Sequence, residues 1–346
     1  MICRALSHNR HIKHVRLVRS PDTDPWKNLA REEFLVNACA DDEAVFYLWQ
    51  NAHTVVIGRN QNAWSECRLD LLESEGGRLA RRSSGGGAVY HDLGNLNYSF
   101  ILPRSHYSME RQLGVVLAAL RSLGVDAEFS GRNDLLLEGR KFSGNAYQLT
   151  RHRGLHHGTL LLSVDMSKLS RYLNVDPEKL QSKGVTSVAS RVVNLAEASP
   201  DLTRDALMDA LERAFLEEYP HDEVRRESDD PESEAFTRLY EKYSGGEWRY
   251  GRVPECAAAI GKRFGWGGVE LRCDAPAGRI RGAQVFSDAM DGEMILSLAK
   301  TLEGLPFSWK EMASAVRAAF PGSPEMADVA EWLEEAPIGR HKEENA

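Results

Sequence analysis

No apolar run in this 346-residue chain approaches the roughly 18 residues a membrane-spanning helix requires, and none has the form of a secretory apolar core. Cysteine is scarce: Cys3, Cys39, Cys67, Cys256 and Cys273 form no CxxC pair and no dense framework. That spacing argues against a disulfide scaffold and fits reduced thiols in the cytoplasm. There is no excess of positive charge either. Acids outnumber Lys and Arg 51 to 43, a net charge of -8, which argues against non-specific nucleic-acid binding while leaving room for a local basic pocket for a small anion. Low-complexity tracts and internal repeats are missing too. The N-terminal segment MICRALSHNRHIKHVR, basic and without acids, reads as an extension over residues 1–15, since patterned sequence begins at Leu17.

What is present is ordinary for a folded, soluble chain: 42% hydrophobic and 27% charged residues, with length for two domains. Asp24 is a helix N-cap with Pro25 at the first helical position, and Phe34 and Ala38 recur at helical spacing. EAVFYLWQ and HTVVIGRNQ read as a hairpin, which GRLARR and AVYHDLGNLNYSFIL extend. A helix follows the Ser108 cap and stops at Gly124, and NDLLLEGRKFSGNAYQL reads as two strands about Glu138, Gly139 and Arg140. Beyond Pro200 the pattern is helical as far as a Gly245, Gly246 boundary. The last part reads as two strands, WGGVELRCD and RIRGAQVFSD, followed by three helices. This order predicts an α+β fold with a largely antiparallel sheet: a catalytic domain over 1–246, a linker over 247–256 and a small α+β domain over 257–346.

Two stretches carry chemistry. In RRSSGGGAVYHDLGNLNYSF, consecutive glycines let the backbone approach a ligand and turn its N–H groups inward, as a loop holding phosphate does. Arg81 and Arg82 could reach the same anion, with Ser83 and Ser84 adding hydroxyl donors. The plainer reading is a tight turn or bulge with exposed arginines, and the segment matches neither the GxxxxGK[ST] nor the GxGxxG pattern. In GRNDLLLEGRKFSGNA, Lys141 could act as a point charge between a carboxylate and a phosphate, or simply face solvent. Asp134 suits either a magnesium contact or a strand end.

Taken in order, these two stretches together with HHGTLLL, KGVTSVASRVVNL, WRYG and WGGVEL resemble lipoate-protein ligase A over nearly the whole chain. The resemblance implies a catalytic domain like those of biotin protein ligases and class II aminoacyl-tRNA synthetases, plus a C-terminal accessory domain. It implies a two-step reaction in which lipoate or octanoate and ATP, with Mg2+, give an acyl-adenylate and pyrophosphate. The acyl group then passes to a lysine of a lipoyl carrier domain, such as the E2 subunits of 2-oxoacid dehydrogenases or the glycine cleavage H protein. A cytoplasmic monomer with no membrane or nucleic-acid partner is expected.

The family motif falls on Arg82, Ser84, Gly85, Gly86, Gly87, Ala88, Val89 and Tyr90 as nucleotide contacts, and on Lys141 as the catalytic residue touching both ATP and the acid. It sets Asn95, Asn133 and Asp134 about the adenylate, Asp134 also toward the metal, and Trp49, Arg82 and His157 at the acid. Trp49 could equally be a core aromatic, and His157 a satisfied histidine. The hairpin between Asp134 and Lys141 is shorter than in some relatives. An octanoyl transferase working through a cysteine thioester is the nearest rival, but no cysteine lies between Cys67 and Cys256. Nothing suggests a lost motif, as a non-catalytic sensor would show.

Overall fold

The computed structural model describes residues 11–130, 134–174, 192–251 and 258–335. Asn133, most of KGVTSVASRVVNL and residues 252–256 of the expected linker therefore lie outside the described residues. The central element is an eight-stranded sheet. Its strands are β1 (His14–Arg19), β2 (Glu43–Trp49), β6 (Asn95–Pro103), β7 (Glu128–Phe129), β8 (Asp134–Leu137), β9 (Arg140–Leu149), β10 (Arg153–Leu161) and β11 (Glu223–Glu227). They lie in the order β11-β1-β2-β6-β10-β9-β8-β7. In this sheet only β1 pairs in parallel, with β2 and β11, and every other neighbouring pair is antiparallel. The helix Pro25–Ala38 supplies the crossover that a parallel β1–β2 pair needs. Its N-cap is Asp24, whose carboxylate accepts from the Trp26 and Lys27 N–H groups, with Pro25 at the first position.

Strand alternation decides what each face of this sheet does. On β6, Leu96, Tyr98, Phe100 and Leu102 enter the main apolar core, which the helices Met109–Ser122 and Arg204–Glu218 cover. The intervening Asn95, Asn97 and Ser99 are buried polar residues on the opposite face. That face also carries Tyr47 and Trp49 from β2 and Leu155 from β10, against the helices Pro25–Ala38 and Glu234–Ser244. One face is therefore an ordinary core, and the other combines apolar surface with polar groups.

EAVFYLWQ and HTVVIGRNQ do not form the expected hairpin. β3 (Thr54–Ile57) leaves the main sheet and pairs in parallel with β4 (Arg78–Arg81) and antiparallel with β5 (Val89–His91), making a small second sheet. All four residues of β3 are buried, so the strand needs cover on both faces, which the rim of the large sheet does not give. AVYHDLGNLNYSFIL likewise divides at Asp92, whose carboxylate accepts from the Gly94 N–H, so β5 and β6 belong to different sheets. The hairpin turn at Glu138 and Gly139 is as read, both residues having positive φ.

The last part holds a third sheet, β12 (Ala258–Phe264), β13 (Gly267–Asp274) and β14 (Gly282–Ser287), one strand more than expected. With the helices Gly292–Leu302, Trp309–Ala319 and Pro324–Glu335 it encloses a separate apolar core. No helix among the described residues is long and apolar enough to cross a membrane.

Candidate active site

The glycine loop is tied from two sides. Gly86 has φ of +90°, a conformation that a side chain would strain, and its N–H donates to the Ala289 carbonyl at 2.9 Å. A Cβ on Gly85 would lie 2.4 Å from the carbonyl oxygens of Ala289 and Met290, so only glycine lets the C-terminal unit approach here. The same unit holds the loop after β3: Asn60 Nδ2 donates to the Gly292 carbonyl at 2.8 Å, and Arg59 pairs with Glu293.

Neither arginine of RRSSGGG is the exposed cation that a bare turn would carry. Arg81 donates to the carbonyls of Gly58, Arg59, Gln61, Arg249 and Tyr250, which makes it a staple between WRYG and the loop after β3. That corrects its reading as an anion contact. Arg82 turns back on its own loop, donating to the carbonyls of Gly85 and Gly87 at 2.7 and 2.8 Å and to Ser84 Oγ at 3.1 Å. Burial pushes both guanidinium pKa values down to about 10, which leaves them charged at neutral pH.

Between the glycine loop, the polar-and-apolar sheet face and the C-terminal unit lies a cleft of about 1630 Å³. One row of residues crosses its floor from strand to strand. Thr159 of β10 is the register partner of Asn97 on β6, and Asn97 is that of Trp49 on β2. On the other side, the Gly144 N–H donates to Thr159 Oγ1, and a Cβ on Gly144 would lie 2.9 Å from Lys141 Nζ. Lys141 thus stands at one end of the row, pairing with Asp134 Oδ1 at 2.7 Å, and Trp49 at the other. Leu29, Val56 and Val89 make the Trp49 end apolar.

A buried chain of hydrogen bonds orients the walls. Trp49 Nε1 donates to Ser99 Oγ at 3.0 Å, and Ser99 donates to Glu32 at 2.5 Å. His157 donates from Nδ1 to the same carboxylate at 2.9 Å and accepts from Ser84 Oγ at Nε2, 2.6 Å away. The tautomer follows from Glu32, a carboxylate that can only accept. Sequence reasoning did not single out Glu32. The available signal was helical spacing, since Glu32 falls on the buried stripe between Asn28 and Leu35.

The cleft brings together ten of the expected site residues: Trp49, Arg82, Gly86, Gly87, Ala88, Val89, Tyr90, Asp134, Lys141 and His157. Ser84, Gly85 and Asn95 stand behind its wall. Ser84 is fully engaged with His157 and Arg82, Gly85 lies beneath Ala289 and Met290, and Asn95 donates to Asn97 Oδ1 at 3.0 Å. Asn97, two residues further on, takes the place at the wall. Asn133 lies outside the described residues. Arg263, Asp288 and Met290 of the C-terminal unit line the cleft without having been foreseen. Cys39 and Cys67 are buried, and burial pushes each thiol up to about 12, far from a nucleophilic thiolate.

The sequence profile of the lipoyl protein ligase A/B catalytic domain matches residues 24–216, and that of the bacterial lipoate protein ligase C-terminus matches 253–333. Among solved structures, P. falciparum LipL1 in complex with lipoate is 27% identical, with a TM-score of 0.83 over 93% of this chain and 100% of that one. A bi-partite lipoate protein ligase from T. acidophilum, studied with its E2 lipoyl domain, is 29% identical over 72% of this chain and 100% of its own, with a TM-score of 0.59. A lipoate-protein ligase A bound with ATP is 28% identical over 70% of this chain and 100% of its own, at 0.58. With a catalytic profile spanning more than half of its length, the chain belongs to the lipoyl protein ligase A/B family and is an enzyme of the lipoate-protein ligase type.

Proposed function

We propose that the chain activates lipoate with ATP and then transfers the lipoyl group to a lysine of a lipoyl carrier domain, such as those of E2 subunits or the glycine cleavage H protein. In the first step a carboxylate oxygen of lipoate bonds to the α-phosphorus and the bond to the bridging oxygen breaks, releasing pyrophosphate. In the second, the neutral amine of the acceptor lysine attacks the acyl carbon, AMP leaves, and the amine loses a proton. The observation that carries this reading is the position of Lys141, in the same cleft as the glycine loop and at the end of the row opposite Trp49. A fixed ammonium there offsets the repulsion of two anions brought together in a partly dehydrated cleft. The lipoate-bound and ATP-bound relatives support the two substrates.

Magnesium enters this reading with the triphosphate. Among the described residues no group of three His, Cys, Asp or Glu side chains could hold the ion by itself. Asp134, a single half-buried carboxylate at the cleft, fits an ion that binds through one carboxylate and phosphate oxygens. Bound there, the ion would neutralise phosphate charge. The thioester alternative lacks its nucleophile, since both described thiols of the catalytic part are buried and held protonated. Lipoate-dependent exchange of pyrophosphate into ATP, followed by the mass shift of an added lipoyl domain, tests both steps. Absence of lipoate-dependent exchange would sink the proposal.

A further inference from the structure

Two buried polar atoms on the wall of the cleft have no use in the chemistry above. His91 and Asn97 line it beside Trp49, with exposures of 3% and 2%. Neither His91 Nε2 nor Asn97 Nδ2 meets a partner among the described residues. Their hydrogen bonds on the other side show what each presents. Asn28 gives its amide N–H groups to the carbonyls of Asp22 and Gln50 and to Asn51 Oδ1. Asn51 must then turn its own Nδ2 toward His91, donating to Nδ1 at 3.2 Å. The ring proton therefore sits on Nε2, and burial, with Arg82 and His157 nearby, holds the imidazole neutral with a pKa pushed down to about 3. Asn97 accepts from Asn95 at Oδ1, which leaves Nδ2 as its donor.

We infer that His91 and Asn97 are specificity residues, a pair of N–H donors at the apolar end of the cleft that favours an acid with sulfur in its tail over an all-carbon acid of the same shape. This rests on the functional reading above, in which the carboxylate lies by Lys141. From Gly144, beneath the Lys141 ammonium, to Asn97 is two strand spacings, about 10 Å, close to the span from the carboxyl group of lipoate to the far side of its dithiolane ring. The ring then lies against Asn97, His91 and Trp49. Sulfur is a weak acceptor, but it is an acceptor. Both donors are already shut off from water in the free protein, so a hydrocarbon tail leaves them unmet where a ring sulfur receives them, and a buried donor left unmet is costly.

The test compares lipoate with 5-cyclopentylpentanoate, its carbocyclic isostere, and with octanoate, by calorimetric binding to the full chain. The wild type should bind lipoate about tenfold more tightly than either hydrocarbon acid, the order expected for one buried donor kept satisfied. His91→Phe and Asn97→Leu should bring that ratio to within about twofold, mainly by weakening lipoate while the hydrocarbon acids bind as before, a split that a variant with a damaged fold would not show. Equal binding of lipoate and its isostere by the wild type would overturn the inference whether or not the variants fold. So would an unchanged ratio in both variants. Failure of all three acids to bind the wild type would remove the functional reading and this inference with it.

Discussion

Lys141 and Trp49 are the residues whose substitution separates chemistry from architecture. Lys141 keeps partial solvent contact, and its one ion pair among the described residues is with Asp134, so Lys141→Ala should melt within a few degrees of the wild type. It should nevertheless lose lipoate-dependent pyrophosphate exchange by about a hundred- to a thousand-fold, the weight of one preorganised charge. Lys141→Arg should be nearly as damaging, because a planar fork beside Asp134 closes on that carboxylate and cannot be shared as a point charge. Near-normal exchange in either variant would remove Lys141 from the mechanism. Trp49 was legible as both core and lining, and the two roles are joined: it is 4% exposed, belongs to a buried cluster and also faces the cleft. Trp49→Ala should therefore favour bulkier acids over lipoate in competition while costing about 3–5 kcal/mol of stability, read from a urea titration. A gain for bulky acids without any loss of stability would show that the indole is not a packing element.

At the scale of elements, the sequence disclosed local devices and concealed partners. Asp24 and Ser108 mark helix starts through bonds to their own neighbours, Pro25 does so through its fixed φ, and the Glu138–Gly139 turn is set by its own backbone, so each could be read in place. Nothing in HTVVIGRNQ states that β3 must leave the large sheet, because that depends on cover supplied by residues 78–91. β12 was hidden for the same reason: its pairing is with β13, and AAAIGKRF has no strong alternation of its own. The GGG loop was legible as a backbone device but not as the docking edge for residues 289–290. Glycine substitutions divide these cases. Gly86→Ala places a side chain at φ of +90°, with Arg82 Nη2 2.9 Å from its Cβ, and should abolish exchange while costing about 1–3 kcal/mol in denaturant titration. Gly114, exposed in the helix Met109–Ser122 with open space around it, should gain about 0.5–1 kcal/mol as alanine at full activity. Matching effects of the two substitutions would show that the loop conformation does not matter.

For the whole molecule, pH and truncation probe what the parts do together. Burial is the main cause that lowers both His91 and His156 to about 3 in the folded chain, against about 6.5 for an unfolded histidine. Above pH ~6.5 neither state is protonated, and the stability from keeping these rings neutral is fully present. As pH falls from ~6.5 toward 3, the unfolded chain takes up protons that the folded chain refuses, so stability must fall. The urea midpoint should drop steadily between pH 7 and pH 5, and a flat profile would contradict the buried, neutral state of these two rings.

Truncation asks what the C-terminal unit contributes. The Gly245, Gly246 pair looked like the place to cut, but the turn that follows belongs to the catalytic part: Trp248 Nε1 donates to the Arg81 carbonyl, and Arg81 returns bonds to Arg249 and Tyr250. A chain ending after Gly251 keeps that lock, whereas one ending at Gly245 leaves the Arg81 guanidinium short of its partners in a buried position and should be destabilised. Ending after Gly251 removes the carbonyls that hold the glycine loop and Asn60, together with the cleft walls at Arg263, Asp288 and Met290. Lys141, Trp49, His157 and the sheet floor all remain. The shortened chain should therefore still pass a lipoyl group from supplied lipoyl-adenylate to a lipoyl domain, while losing most of its activity from lipoate and ATP, since the proposed function has the triphosphate held against the loop. Equal loss of both half-reactions in a folded 1–251 chain would mean that the C-terminal unit serves the cleft as a whole and not the nucleotide step.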